Sequence, residues 1–208
     1  MKCPHCDQSV QAEEFCPHCG KILPPPSEES YYKVLGYDRE FLQMDPEDLE
    51  KRLFSLSKKF HPDRFASKSP LEIQFSHDRS SGVNNAYRTL KDPIARAKYM
   101  VEKQLGSIEE KSASVPMDMA DMFFEVQDAL DVIRESDGNP PQDAVKQVKT
   151  AERELNEKVE ELESNLEAKF AGYDKNPSKA IIEQIKEILS QRSYIKSFLR
   201  QLDSVSLR

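Results

Sequence analysis

The side chains best suited to chemistry lie at the start of the chain. Cys3-Pro4-His5-Cys6 and Cys16-Pro17-His18-Cys19 are two CxxC pairs with nine residues between them. Each CxxC turn lets two thiolates converge on one ion, and two turns close a tetrahedral shell. The spacing therefore predicts a structural zinc site made by Cys3, Cys6, Cys16 and Cys19. All 4 cysteines fall within the first 19 residues, so their role is local. A segment this small cannot fold by apolar burial, and bound metal would supply its folding energy. Two rival chemistries use the same residues. A redox CxxC usually sits on a thioredoxin-like βαβ pattern, absent here. Disulfides suit an oxidising compartment better than the cytosol. His5 and His18 lie inside the CxxC turns and are surplus to a four-thiolate site.

The second candidate is His61-Pro62-Asp63. As an acid–base pair it is poor, because the two side chains share one turn and no nucleophile or oxyanion hole is indicated. No catalytic residue is assigned anywhere in the chain. The position of the triplet is more telling. Asp45-Pro46 gives an N-cap followed by proline at the first helical position, and the helix it opens runs to about Phe60, where Pro62 stops it. At roughly 100° per residue, Leu49, Leu53, Leu56 and Phe60 form one stripe. Lys51, Arg52, Lys58 and Lys59 fall on the far and flanking sides. The helix thus has a core face and a cationic face, and it delivers the chain into the His-Pro-Asp turn.

The elements that must position these residues are helical. The chain is 38% hydrophobic and 32% charged with only 6 Gly, which suits long, well-exposed helices and disfavours a β-sandwich or a large α/β sheet. Ser30–Gly36 forms a short helix ended by glycine. Pro70 opens a helix to about Leu90, and Asp92-Pro93 caps another to about Leu105. Beyond a polar linker, helical runs cover about 117–135, 142–171 and 178–203. The turn-rich segments Asp137–Pro141 and Gly172–Pro177 separate them. Val145, Val148, Leu155, Val159, Leu162, Leu166 and Phe170 make a buried stripe on the second run. Ile181, Ile185, Ile188, Ile195, Leu199 and Leu202 do so on the third. Short loops make neighbours antiparallel, so a three-helix bundle follows. The expected fold is all-α: a zinc knuckle (1–23), a stiff Pro-rich linker (24–29), a helical-hairpin domain (30–106) and a C-terminal bundle (107–208). Residues 1–23 are expected to be separable from the helices.

Net charge is −7 but uneven: −3 over residues 1–30, +3 over 31–105 and −7 over 106–208. The total argues against general nucleic-acid binding, while the middle segment could present a basic face. No run of 18 apolar residues exists to span a membrane, and Met1-Lys2-Cys3-Pro4 lacks a signal-like apolar core. The expected compartment is the cytoplasm.

Tyr31 to Tyr99 reads as a J-domain. The resemblance narrows with Tyr31-Tyr32-x-Val34-Leu35-Gly36, His61-Pro62-Asp63-Arg64-Phe65-Ala66 and the run Val83-Asn84-Asn85-Ala86-Tyr87 through Leu90, Pro93, Arg96, Ala97 and Tyr99. With the order of domains, these motifs make the chain resemble the HscB co-chaperones of iron–sulfur cluster assembly. Some members look alike in carrying a tetracysteine module in front. The resemblance implies that His61, Pro62, Asp63, Lys51, Arg52, Lys58, Lys59 and Arg64 contact a DnaK/HscA-type ATPase chaperone and stimulate it. It implies also that the bundle holds an IscU-type scaffold protein. The rival readings are a J-protein with another client and a zinc-ribbon nucleic-acid adaptor.

On the helix at 117–135, Met119, Met122, Phe123, Val126, Leu130 and Ile133 share one arc, expected to face the core. Met117, Ala120, Asp121, Phe124, Glu125 and Asp128 share the other. An aromatic residue among acids on an outer arc is unusual. Alignment to the family places its scaffold-binding positions on Ala120, Asp121, Phe124, Glu125 and Asp128, with an aromatic contact at Tyr194. The sequence departs from the family at Ala120 and Asp121, where large apolar residues are usual.

Overall fold

The structure is a computed structural model, and it describes residues 1–11, 13–106, 119–136 and 139–206. Among the described residues seven α-helices run in order: α1 (Tyr31–Val34), α2 (Pro46–Phe60), α3 (Pro70–Lys91), α4 (Pro93–Leu105), α5 (Ala120–Arg134), α6 (Gln142–Lys175) and α7 (Lys179–Ser206). A 3-10 turn, Pro62–Phe65, joins α2 to α3. The described residues contain no strand, only isolated antiparallel bridges, Lys2 with Ser9 and Phe15 with Ile22, one in each cysteine knuckle. The chain divides into two compact units, Met1–Tyr99 and Met100–Arg208.

In the first unit the expected helix boundaries hold because their caps form. The Asp45 carboxylate accepts from the Glu47 amide at 2.9 Å, with Pro46 at the first helical position. Ser69 and Glu72 make a capping box at the start of α3, which satisfies two amides that would otherwise lack partners. Helices α2 and α3 run antiparallel: the Ser76 and Ser80 hydroxyls reach the Phe60 carbonyl at 2.9 and 2.8 Å, while Tyr87 reaches Glu50 at the other end. The core of this unit includes Tyr32, Leu35, Leu42, Leu49 and Leu90, all essentially inaccessible. The α2 stripe is tighter at its ends than its middle: Leu49 and Phe60 are buried, whereas Leu53 and Leu56 are half-buried. Gly36 takes φ +77°, and a Cβ there would come within 3.3 Å of the Arg52 guanidinium, so both backbone and space require glycine.

Residues 24–29, expected as a linker, lie within the first compact unit, and the Pro24 carbonyl accepts from Arg79. The cysteine module lies against α2 and α3 inside the same compact unit. Phe15 stacks on Phe60 with ring centroids 6.2 Å apart, and His5 meets Phe75 edge-on. Leu23 joins Cys3, Val10 and Cys16 in a small apolar core. Removal of residues 1–23, expected to leave the helical domains folded, would uncover Phe60 and Phe75 and take the Leu23 and Glu13 carbonyls from Arg79, a packing that no helical period signals.

The second unit is built from α5, α6 and α7. On α6, Val148, Leu155, Val159, Leu162, Leu166 and Phe170 are buried as the periodicity predicts, with Ala151 and Tyr173 added; Val145 is half-buried. The helix runs on through Gly172 to Lys175 rather than breaking there. Burial of the Tyr173 ring outweighs the roughly 1 kcal/mol penalty of one interior glycine, and Pro177 then ends the run. On α7 the buried register begins at Ile182 rather than Ile181 and adds Leu189 and Phe198. The α5 arcs divide as expected: Met119, Phe123, Val126 and Leu130 are buried, Met122 and Ile133 are half-buried, and Phe124 is 73% exposed. Met117 lies outside the described residues. The Phe123 ring fits edge-on against Tyr194 and Phe198, with centroids at 5.0 and 4.5 Å.

Two adjacent phenylalanines therefore have opposite energetic roles. Phe123→Ala should destabilise the bundle by about 3–5 kcal/mol, whereas Phe124→Ala should stay within about 0.5 kcal/mol of the parent. Thermal or denaturant unfolding of both variants measures this, and equal losses would show α5 to be rotated.

Candidate functional site

The four cysteine sulfurs converge, all lying within 4.8 Å of one another. Cys3 and Cys19 sulfurs are 3.8 Å apart, as are those of Cys6 and Cys16. A disulfide requires about 2.05 Å, and all four thiols are free. Four sulfurs at about 2.3 Å from a tetrahedral ion would stand about 3.8 Å from each other. The cluster thus has the dimensions of a four-thiolate metal shell. Local backbone supports it: the His5 amide points at the Cys3 sulfur at 3.4 Å, and Gly20 turns at φ +71° directly after Cys19. The thiols are not equivalent. Burial opposes ionisation of Cys16, but the Cys19 and His18 amides outweigh it and bring its pKa down to about 6. At Cys6 the Gln8 backbone contact favours the thiolate, yet burial and the neighbouring sulfurs push the pKa up to about 12. His5 takes no place in the shell; its Nε2 lies 3.1 Å from the Ile22 carbonyl oxygen.

The module is fixed to the hairpin by a residue that the periodicity analysis passed over. Arg79 stands on the α3 stripe between Phe75 and Val83 and is 7% exposed. Its guanidinium donates to the carbonyls of Leu23 at 2.7 Å, Glu13 at 3.0 Å and Pro24 at 3.0 Å, and it lies over the Phe60 ring. Burial lowers the Arg79 pKa, and the three carbonyls compensate the buried charge. A cation at the i+4 position of an apolar stripe was the available signal.

The His-Pro-Asp turn begins where α2 ends. His61 is at once the C-cap of α2 and the N-cap of the 3-10 turn. Its Nδ1 accepts from the Asp63 amide at 3.3 Å and lies 3.5 Å from the Asp63 carboxylate. Both side chains are open to solvent, at 55% and 90%. Arg64 donates back to the Lys58 carbonyl at 3.0 Å, and Phe65 is buried, pinning the far end of the turn. The residue before His61 is held most firmly: Ser76, Ser80 and Arg79, one turn of α3, all engage Phe60.

The expected cationic face divides in two. Lys51, Lys58 and Arg64 are exposed. Arg52 is committed inward: it donates to Asp48 at 2.8 Å and to the Leu35 and Gly36 carbonyls at 3.2 and 2.7 Å, and covers the Tyr37 ring at 4.0 Å. The Arg52 hydrogen bond, followed by that of Tyr37, holds the Asp48 carboxyl below its ordinary range. Lys59 pairs with Glu14 of the cysteine module and approaches the Phe15 and Phe60 rings. One residue on the open side was missed by sequence reasoning. Phe54 is 74% exposed and falls within the arc of Lys51 and Lys58; the signal was an aromatic residue outside the leucine stripe.

On α5, Asp121, Phe124, Glu125 and Asp128 are exposed and Ala120 is half-buried. Val132, also exposed, extends the apolar part of this face. Tyr194 is half-buried because its ring packs on Phe123.

Comparison with known proteins agrees with the helical hairpin and its turn. The DnaJ domain family matches residues 30–99, which defines a J-domain protein. "Co-chaperone protein HscB homolog" of Haemophilus ducreyi is 32% identical over 123 residues, covering 58% of this chain and 71% of that protein. "Iron-sulfur cluster co-chaperone protein HscB" of Mus musculus is 26% identical over 204 residues, covering 94% and 79%. The chain belongs to the HscB co-chaperone family. The crystal structure of human co-chaperone protein HscB shares the fold, with a TM-score of 0.65 at 23% identity, covering 98% of this chain and 97% of that one.

The anchoring of Phe60 is open to test. Ser76→Ala with Ser80→Ala removes both side-chain donors from its carbonyl and should destabilise the first unit by about 1–3 kcal/mol, read by denaturant unfolding. No loss of stability would mean that solvent or another donor serves that carbonyl equally well.

Proposed function

We propose that this protein is a co-chaperone of iron–sulfur cluster assembly that binds an IscU-type scaffold and delivers it to a DnaK/HscA-type chaperone, stimulating its ATPase. The observation that carries the proposal is the His61-Pro62-Asp63 turn, solvent-open yet tied at both ends. A turn used only as a connection has no need of three α3 residues fixing the residue before it. His61, Pro62, Asp63, Lys51, Lys58 and Arg64 form the chaperone face. Arg52 and Lys59 support it from inside, through the carbonyls and Glu14 that they bind. The chain acts by binding alone and uses no catalytic residue of its own. Cys3, Cys6, Cys16 and Cys19 hold a structural zinc ion, which when bound supplies the folding energy of the module. The cytoplasm, a reducing compartment, keeps such thiols available to metal.

The scaffold face is the outer side of α5, with Asp121, Phe124, Glu125 and Asp128 at its centre and Ala120 and Tyr194 at its margins. Exposed aromatic side chains flanked by charge are common anchors of interfaces, and Phe124 contributes nothing to the bundle core that would explain its size.

Three outcomes are expected. Protein purified without chelator should contain one zinc per chain, and chelation should lower the melting temperature of the first unit because Phe60, Phe75 and Arg79 lose their cover; iron, or two disulfides without metal, would refute the zinc assignment. His61→Gln should abolish stimulation of the chaperone ATPase without loss of fold, and charge reversal at Lys51 and Lys58 should weaken the same contact, as added salt should, since exposed charges are screened beyond about 8–10 Å. Normal stimulation by the His61 variant would end the chaperone reading. Phe124→Ala should weaken scaffold binding by at least about 2 kcal/mol, measured by calorimetry; unchanged affinity would mean another client or another face.

A further inference from the structure

The cysteine module is net acidic over residues 1–30, with only Lys2 and Lys21 as cations. Lys21 lies on the wall of a cleft of about 580 Å³ between the module and the end of the α2–α3 turn. The opposite wall carries Lys59, Arg64, Phe65 and Lys68, and Phe15 lines the module side. Among the described residues the Lys21 and Lys68 ammonium groups make neither a hydrogen bond nor an ion pair, although Lys21 feels the Glu72 charge. The acids nearby cancel only part of this field, and Glu72 itself lines the cleft. Glu72 is 7% exposed, and its carboxylate is taken up by the Ser69 hydroxyl and amide. Glu14 is taken up by Lys59. Lys21, Arg64 and Lys68 face one concavity against the single Glu72 carboxylate, so the cleft is net positive, with aliphatic stems and two aromatic rings in its walls. Arg64 also directly follows His61-Pro62-Asp63, so the cleft continues the proposed chaperone face.

We propose that the cysteine module is a working part of the chaperone interface: the cleft between Lys21, Arg64 and Lys68 takes an acidic segment of the ATPase chaperone. The inference rests on the J-domain reading above. Charge complementarity selects an acidic occupant, and contiguity with the His-Pro-Asp turn selects the chaperone that docks there. Nucleic acid is disfavoured by the net charge of −7, which repels a polyanion longer than the cleft. The metal module then does more than complete the fold. It supplies one wall of the cleft, so a chain that loses its metal keeps the His-Pro-Asp turn but loses part of the surface that captures the partner.

The test uses the zinc-loaded full chain. Lys21→Gln with Lys68→Gln should weaken affinity for the ATPase chaperone about tenfold at low ionic strength, and the difference should shrink with added salt. Lys2→Gln with Lys98→Gln makes the same change in net charge away from the cleft and should change affinity less than twofold. Lys21→Arg with Lys68→Arg should bind as the parent does. Zinc content is measured for each; if the Lys21 variants lose metal, Lys68→Gln alone, outside the module, should still weaken binding about threefold. Equal affinities for the cleft and control variants would overturn the inference. Inorganic phosphate competing with the chaperone would be expected, whereas phosphate binding that leaves chaperone affinity untouched would show an anion site unrelated to docking. His61→Gln separates the two levels: if it abolishes stimulation while the Lys21/Lys68 variant behaves as parent, only the cleft fails; if it stimulates normally, the chaperone reading fails first.

Discussion

The first unit depends on how the last residue of α2 is held. A helix ends with carbonyls that have no partner within it. At Phe60 that need is met by two hydroxyls from α3, Ser76 and Ser80. Between them Arg79 covers the Phe60 ring and reaches across to three carbonyls of the cysteine module. One turn of α3 thereby fixes the exit of α2, the start of the His-Pro-Asp turn and the seat of the metal module. A buried guanidinium is tolerated only with its donors satisfied, so the module is as necessary to Arg79 as Arg79 is to the module.

This arrangement ties down both ends of an exposed turn. His61 and Asp63 stand in solvent, where side chains usually wander, but the backbone on either side is anchored by Phe60 and by buried Phe65. Preorganisation of that kind lowers the ordering penalty of binding. Arg52 serves the same end from the other side of α2, joining the helix to Leu35 and Gly36. In the second unit the division of labour is simpler. Phe123 and its ring partners on α7 build the core, and the outer arc of α5, with Phe124, is exposed.

Much of this was legible in the sequence because it follows from local rules. Proline and aspartate caps placed α2 and α4, and the 3.6-residue period found the buried stripes of α6 and α7. The CxxC spacing anticipated the sulfur cluster. What was not legible depends on contacts between distant segments. Arg52, Lys58 and Lys51 all look like surface cations on a helical wheel, yet only Arg52 meets backbone carbonyls from residues 35 and 36. Lys59 looks like a surface cation until Glu14 arrives beside it. Pro24-Pro25-Pro26 reads as a spacer, and only Leu23 buried on one side and Arg79 bound on the other show it to be part of a packed unit. That the Tyr194 ring lies edge-on against Phe123 is another contact between distant segments that no helical period signals.

In the proposed function, one chain holds a cluster scaffold on its helical bundle while its J-domain engages an ATPase chaperone. Amide hydrogen exchange of the zinc-loaded protein, alone, with each partner and with both, tests it most directly. The account predicts protection in two separate places at once: residues 58–68 with 15–22 when the ATP-bound chaperone is present, and residues 120–132 when the scaffold is present, both persisting in the ternary mixture. Displacement of one partner by the other, or protection by the chaperone that falls outside the His61 turn, would contradict it.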